Sequence, residues 1–279
     1  MGKIMIGTYE VLKIMYGTDE VSSLSMGGET IPVSGGSPSP TPTPYNYSAM
    51  PFTIEMLSAG TIEISGLENK SYNYSVNNGS SSQINFTVNG ELVTITGLSA
   101  GDKVEFTVPN NQDGPSSSST YFKFTTGCTA PFNVYGNIIS LQQVDYTNAM
   151  ILSGNSCFRE MFRGNTKVID ASNLIIPDVG LTSSCCEGMF RGATNLIAGP
   201  QILATHPSTS CMKNMFYGCG NLAYIKCMFS SVTTAQIRDW VVSVAATGTF
   251  VKAAGVTWPS GGIPTGWTIE EYTPPTPSQ

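Results

Sequence analysis

The chain has 279 residues, an apolar fraction of 41% and a net charge of -6, which leaves room for two or three domains with real cores. Charged residues make up only 11%, against about 25% in ordinary soluble domains, and aromatics reach 10%, a balance that favours β-structure with polar, uncharged surfaces. The 13 Lys and Arg stand singly along the chain, which excludes a continuous basic stretch, so nucleic acid is not expected as a partner.

In chain order, residues 1–34 repeat with a period of ten. Lys3-Ile4-Met5-Ile6-Gly7-Thr8 with Glu10-Val11 is followed by Lys13-Ile14-Met15-Tyr16-Gly17-Thr18 with Glu20-Val21, and a worn third copy sets Leu24, Met26, Gly27 and Ile31 in register. Each unit reads as a short strand, a Gly turn and a second strand. So short a unit cannot bury its own apolar face. The segment is therefore expected to order against copies of itself or a partner, as an assembly anchor marked by Ile4, Ile6, Gly7, Ile14, Tyr16 and Gly17. A small meander packed on the chain's own body is the alternative. The same stretch has no apolar run ending in a small-residue cleavage site, residue 6 is Ile where a myristoylation signal wants Ser or Thr, and no later window approaches a membrane span. Export and membrane insertion are not expected.

Residues 35–44 alternate Pro with Ser and Thr and read as a polyproline spacer. From 45 to 127 come seven short alternating runs, 52–56, 61–64, 72–76, 84–88, 92–95, 104–108 and 121–124, separated by turn signals such as Asn89-Gly90. These suit an antiparallel β-sandwich of immunoglobulin or fibronectin type.

Residues 128–272 hold a three-unit tandem repeat. Ser156-Cys157, Met161-Phe162, Gly164 and Val168 recur as Ser184-Cys185, Met189-Phe190, Gly192 and Leu196, and as Ser210-Cys211, Met215-Phe216, Gly218 and Leu222. Leu174, Ile202 and Met228 each lie twelve residues past a repeat Phe, so each unit is read as a loop or short helix followed by a strand, stacked as a leucine-rich-repeat-like solenoid. The run Phe132 to Ile138 is the expected opening strand. Ile237, Trp240, Val241 and Val244, behind Thr233 and Thr234 as N-caps, predict a short amphipathic capping helix. Residues 273–279, with three prolines, read as an extended tail.

Few residues invite chemistry. The single histidine, His206, would need an orienting third group and a cleft to act with Cys211, and it stands in a variable stretch between repeats. Seven cysteines without a C-x-x-C favour reduced thiols over a disulfide framework or zinc. Cys157, Cys185 and Cys211 occupy equivalent positions and are expected as a buried ladder. Asp170, Asp178, Glu160 and Glu187 fall out of register, so no acid-base pair is nominated. Gly7, Gly17 and Gly27 are turn residues rather than a phosphate cradle. No enzyme activity and no metal or cofactor are expected. The Met-Phe pairs belong to the core, whereas Arg163, Arg191 and Tyr217 align just past them and form a candidate receptor-binding row, with a plain solvated face as the alternative.

The array S-C-x-x-x-M-F-x-G-C-x-x-L, matched most fully at 210–222, resembles the BspA-type leucine-rich repeats of gut Bacteroidetes and their phages. Asn165 and Ala193 replace the Cys after Gly in the first two units. The ending, 222–227 through Trp240-Val241, 248–252 and 262–267, is similar to the ending of those proteins, and the ten-residue units resemble Gly-Thr repeats that open some phage fibre proteins. The resemblance implies a structural virion protein, a head or tail fibre or decoration component assembled in the host cytoplasm, held to other virion proteins by its N-terminus and binding a host surface glycan or protein. Fibres of this kind are commonly trimers, and symmetry would multiply weak sites into avidity. A bacterial surface adhesin or scaffolding protein is the alternative.

Overall fold

A computed structural model of the chain describes residues 46–109, 122–150, 152 and 154–272, together with the backbone of 15–16, 19–20, 23–26 and 29–32. Residues 1–45 and 46–279 are separate units. In the first, strand β1 (Met15–Tyr16) pairs antiparallel with β2 (Asp19–Glu20), and β3 (Ser23–Met26) with β4 (Glu29–Pro32). Of the anchor positions, Tyr16 falls in β1, while Ile4, Ile6, Gly7, Ile14 and Gly17 lie outside the described residues, as do the spacer 35–44 and the tail 273–279.

The second unit is mainly β. Its seven alternating runs all contain strands: β5 (Phe52–Met56), β6 (Gly60–Ser65), β7 (Ser71–Val76), β8 (Ser82–Asn85), β9 (Leu92–Leu98), β10 (Lys103–Thr107) and β11 (Lys123–Phe124). Strand β8 begins earlier than the apolar pattern suggests and stops before Phe86. The cause is local: the Phe86 N–H donates to Lys70 O at 3.0 Å, the Phe86 carbonyl accepts from Asn69 at 2.9 Å, and Glu91 takes the Thr87 N–H at 2.5 Å. With its backbone diverted from the ladder, the Phe86 ring turns into the core.

Strands β5, β10, β7 and β8 lie in one sheet and β11, β6 and β9 in another. Their apolar faces meet where Phe124 of β11 sits 5.5 Å from both Phe52 and Phe106. The strand order departs from the immunoglobulin arrangement, in which the first strand lies beside the second. Here β5 pairs with β10, and the last strand, β11, takes the place beside β6.

That exchange frees the other edge of β5 for β12 (Phe132–Asn137), antiparallel to it. From β12 onward the sheet continues in parallel through β13 (Val168–Ile176), β14 (Ala198–Ile202), β15 (Tyr224–Cys227), β16 (Thr249–Ala253) and β17 (Thr268–Tyr272). One ten-stranded sheet therefore runs from β8 to β17 without a break at the expected 127/128 boundary. Leu174 and Ile202 lie in strands as anticipated, and Met228 follows directly after β15.

Between strands each repeat makes one coil of tight turns, at 156–165, 184–193 and 210–219. Left-handed residues recur every fourth position: Ser156, Glu160 and Gly164, then Ser184, Gly188 and Gly192, then Ser210, Asn214 and Gly218. Alternate amides donate to the next coil, as Phe158 to Cys185 O and Phe162 to Met189 O, both at 2.7 Å, while the intervening ones reach back three residues, as Arg163 to Glu160 O at 3.1 Å. Backbone polar groups buried by stacking are thereby satisfied in the coils as they are in the strands.

The expected capping helix is corrected. Only Thr234–Ile237 is helical (α1), its first turn closed by the Thr233 N–H donating to Gln236 Oε1 at 2.5 Å. Beyond it Asp239 and Ser243 adopt left-handed angles, and the segment serves as a fourth coil: Asn214, Phe216 and Gly218 donate to Arg238 O, Trp240 O and Val242 O at 2.8–2.9 Å. Bonds to the preceding coil replace the i to i-4 bonds that a longer helix would use.

An aromatic ladder runs through the whole unit. Phe52, Phe124, Phe162, Phe190, Phe216, Trp240 and Trp258 succeed one another with ring centroids 5.1–5.9 Å apart. The seven-strand part thus supplies the first rungs of the repeat core. The seam is sealed on the coil side by buried Asn165, whose amide donates to Phe124 O at 3.1 Å and Thr125 O at 2.9 Å. Buried Ser140 seals the strand side, accepting from the Phe52 N–H at 2.8 Å and donating to Phe106 O at 2.9 Å.

Candidate functional site

The coils present two outward columns, because buried pairs, Cys157-Phe158 and Met161-Phe162 in the first coil and their equivalents in the next two, alternate with pairs that point away from the core. The first column holds Arg159, Glu187, Lys213 and Arg238 at successive coils, and the second holds Arg163, Arg191, Tyr217 and Val242. The inter-coil hydrogen bonds set this register, since Gly164 donates to Arg191 O, Gly192 to Tyr217 O and Gly218 to Val242 O, each at 2.8 Å. Arg163, Arg191 and Tyr217 are brought together as the repeat alignment expects.

Their chemistry is specific. The Arg191 guanidinium lies over the Tyr217 ring, 5.1 Å from its centroid, an attraction between cation and ring quadrupole. Arg163 bonds Glu160 at 2.8 Å, and Lys123 bonds the same carboxylate at 3.1 Å. One column over, Glu187 takes Lys213 at 2.6 Å and Arg159 at 3.8 Å. Partial burial pushes the Glu160 carboxyl up, but the hydrogen bonds from Lys123 and Arg163 outweigh it and leave the pKa below the usual range. The same balance, with Lys213, Ser184 and Arg159 opposing burial, lowers Glu187. Among the described residues, Arg191 and Arg238 have no carboxylate partner.

The linear reading of positive charge as scattered is corrected by this packing. Arg159, Arg163, Arg191 and Arg238 are all four of the chain's arginines, and the repeat period gathers every one on the coil face. Sequence reasoning singled out the second column but missed the first, and it missed the fourth coil that carries Arg238. The available signal was the four-residue spacing of Ser184, Gly188 and Gly192 and of Ser210, Asn214 and Gly218 in the second and third units.

The other candidate groups are dispersed. His206 is exposed, its Nδ1 2.8 Å from Thr205 Oγ1, while Cys211 is wholly buried. All seven cysteines are free and buried. Burial, with the neighbouring Cys185 adding to it, pushes the Cys157 thiol up to about 12; burial does the same for Cys219 and raises Cys211 and Cys227. These are poor nucleophiles and poor metal ligands in the folded chain. Among the described residues no group of His, Cys, Asp and Glu is arranged to hold a metal ion, and no helix is long and apolar enough to cross a membrane.

Compared with known proteins, the chain matches no family model, no curated protein and no solved structure.

Proposed function

We propose that the chain is a structural, non-enzymatic component of a bacteriophage particle, a head or tail fibre or decoration protein. Residues 1–34 join it to other virion proteins, the seven-strand part is a β-sandwich spacer, and the coil-and-strand repeats are a leucine-rich-repeat-like solenoid displayed toward the host surface. Recognition of a surface glycan or protein is assigned to the outward columns around Arg163, Arg191 and Tyr217, and association as a trimer supplies avidity.

The observation that carries this reading is the single sheet and aromatic ladder joining the repeats to the seven-strand part. A continuous hydrogen-bonded sheet holds the outward columns in one orientation, and their side chains are ones that recognition surfaces favour. The phage context rests on the resemblance of the 210–222 motif and of the ten-residue units.

The test is deletion of residues 1–34 from the phage-encoded protein, followed by particle purification and electron microscopy. The truncated chain is expected to stay folded and to be absent from the particle. Normal incorporation overturns the anchor role, and absence of the intact chain from particles overturns the virion assignment.

A further inference from the structure

From the coil face we infer that the recognition surface takes an acidic polysaccharide, one bearing carboxylate or sulfate groups, laid along the stacked coils. The inference rests on the recognition role proposed above and narrows its ligand class.

The argument begins with charge. The protein carries a net charge of -6, yet its four coils hold all four arginines and Lys213 against Glu160, Glu187 and Asp239, a surplus of two positive charges. Fold stability does not account for this. Arg163 and Arg191 occupy the same column in consecutive coils, where like charges repel, and neither side chain fills the core. Ion pairing within the chain accounts for part of the first column, through Glu187, and for Arg163 through Glu160. It leaves Arg191 and Arg238 without carboxylates among the described residues.

An arginine fork pairs with a carboxylate or sulfate through two parallel hydrogen bonds. Tyr217, 38% exposed and already stacked with Arg191, offers a flat face beside that fork of the kind a sugar ring packs on. The coils repeat at the spacing of the aromatic ladder, 5.1–5.9 Å, so the columns present a linear series of sites to a linear chain. Duplex DNA is disfavoured by charge density: with a phosphate about every 1.7 Å of its axis it cannot avoid the three carboxylates interleaved with the basic groups, whereas a glycan with one acidic group per sugar can place its charges at the arginines.

The experiment measures binding of the intact chain to dextran sulfate, polygalacturonate, neutral dextran and duplex DNA, and to host cells, at low and high salt. Binding to one or both acidic polysaccharides, weakened by salt and absent with neutral dextran, is expected. The double variant Arg191→Ala/Arg238→Ala should weaken it about tenfold or more with unchanged thermal stability, while Lys103→Ala, outside the face, leaves it intact. Absence of binding to both acidic polymers, equal binding by the double variant, or tighter binding to duplex DNA overturns the inference. Cell binding separates the two levels: cells bound without acidic polymers overturn only the ligand class, and neither bound overturns the recognition role as well.

Discussion

Gly136 and Gly192 both hold left-handed angles, φ 87 and 74, yet an added methyl would meet different surroundings. At Gly192 the nearest atom is the Gly164 Cα, 3.8 Å away, so only the backbone objects; at Gly136 the methyl would lie 2.0 Å from Pro51 O, inside the seam between β12 and β5. Gly192→Ala is expected to cost about 1–2 kcal/mol, the ordinary left-handed penalty, and Gly136→Ala clearly more, both read from urea unfolding. Asn165 stands where the third unit has Cys219, and the difference has a cause: Asn165 must satisfy two carbonyls of the seven-strand part, whereas the Cys219 thiol donates to Phe190 O at 3.0 Å within the stack. Asn165→Ala leaves those carbonyls without its amide and is expected to destabilise by about 1–3 kcal/mol. The cysteines set a pH limit. Burial raises their folded pKa values above the usual thiol range, so the folded state holds protons that the unfolded state releases, and stability is full below about pH 8 and falls as pH rises past about 9. Each such thiol contributes a slope of about 1.4 kcal/mol per pH unit there. Melting temperatures measured from pH 7 to 11 should decline steeply above 9, and a flat profile would contradict the buried ladder.

At the scale of the element, the coil is the unusual unit. Alternate amides bonding forward to the next coil and back within their own mean that no coil is satisfied alone, which ties each unit to its neighbour as in other stacked repeats. The aromatic ring is the packing counterpart: Phe190 stacks on Phe162 at 5.1 Å and on Phe216 at 5.9 Å, and Phe216 lies against Gly199 of β14. Phe190→Ala opens a cavity at the middle of the ladder, and a loss of about 3–5 kcal/mol is expected, measured by denaturant unfolding. In the fourth coil Trp240, which stands in register with the Met positions, supplies the next ring, and its indole N–H donates to Gly262 O at 2.9 Å, so the same rung that continues the ladder also fastens the closing segment.

For the whole molecule, the shared sheet makes residues 46–279 one unit although their halves differ in sequence style. Separating them between β11 and β12 would strip β5 of a strand and expose Phe124 and Phe162, which stack at 5.1 Å with ring planes 10° apart. A calorimetric scan of the intact chain is therefore expected to show one cooperative transition for this unit; two well-separated transitions would refute the shared core. The terminal strand β17 is exposed along its length and carries Glu270 and Glu271, charges that discourage pairing with another strand edge.

Much of this was legible in the sequence. Alternation in 45–127 located all seven strands, because a two-residue period follows from burying one face of a strand. The recurrence of Cys, Met and Phe identified the core of the repeats, because equivalent positions in a stack meet equivalent surroundings. Alternation says which face is buried but not which strand lies alongside, so the pairing of β5 with β10 and β12 was decided only by tertiary packing. The fourth coil escaped because its turns repeat every four residues, close to the 3.6 of a helix, and Ile237, Trp240, Val241 and Val244 suit either; the hydrogen bonds from the third coil chose between them. Arginines at 159, 163, 191 and 238 became one face for the same reason: the sequence determined the repeat, and stacking determined what the repeat brings together.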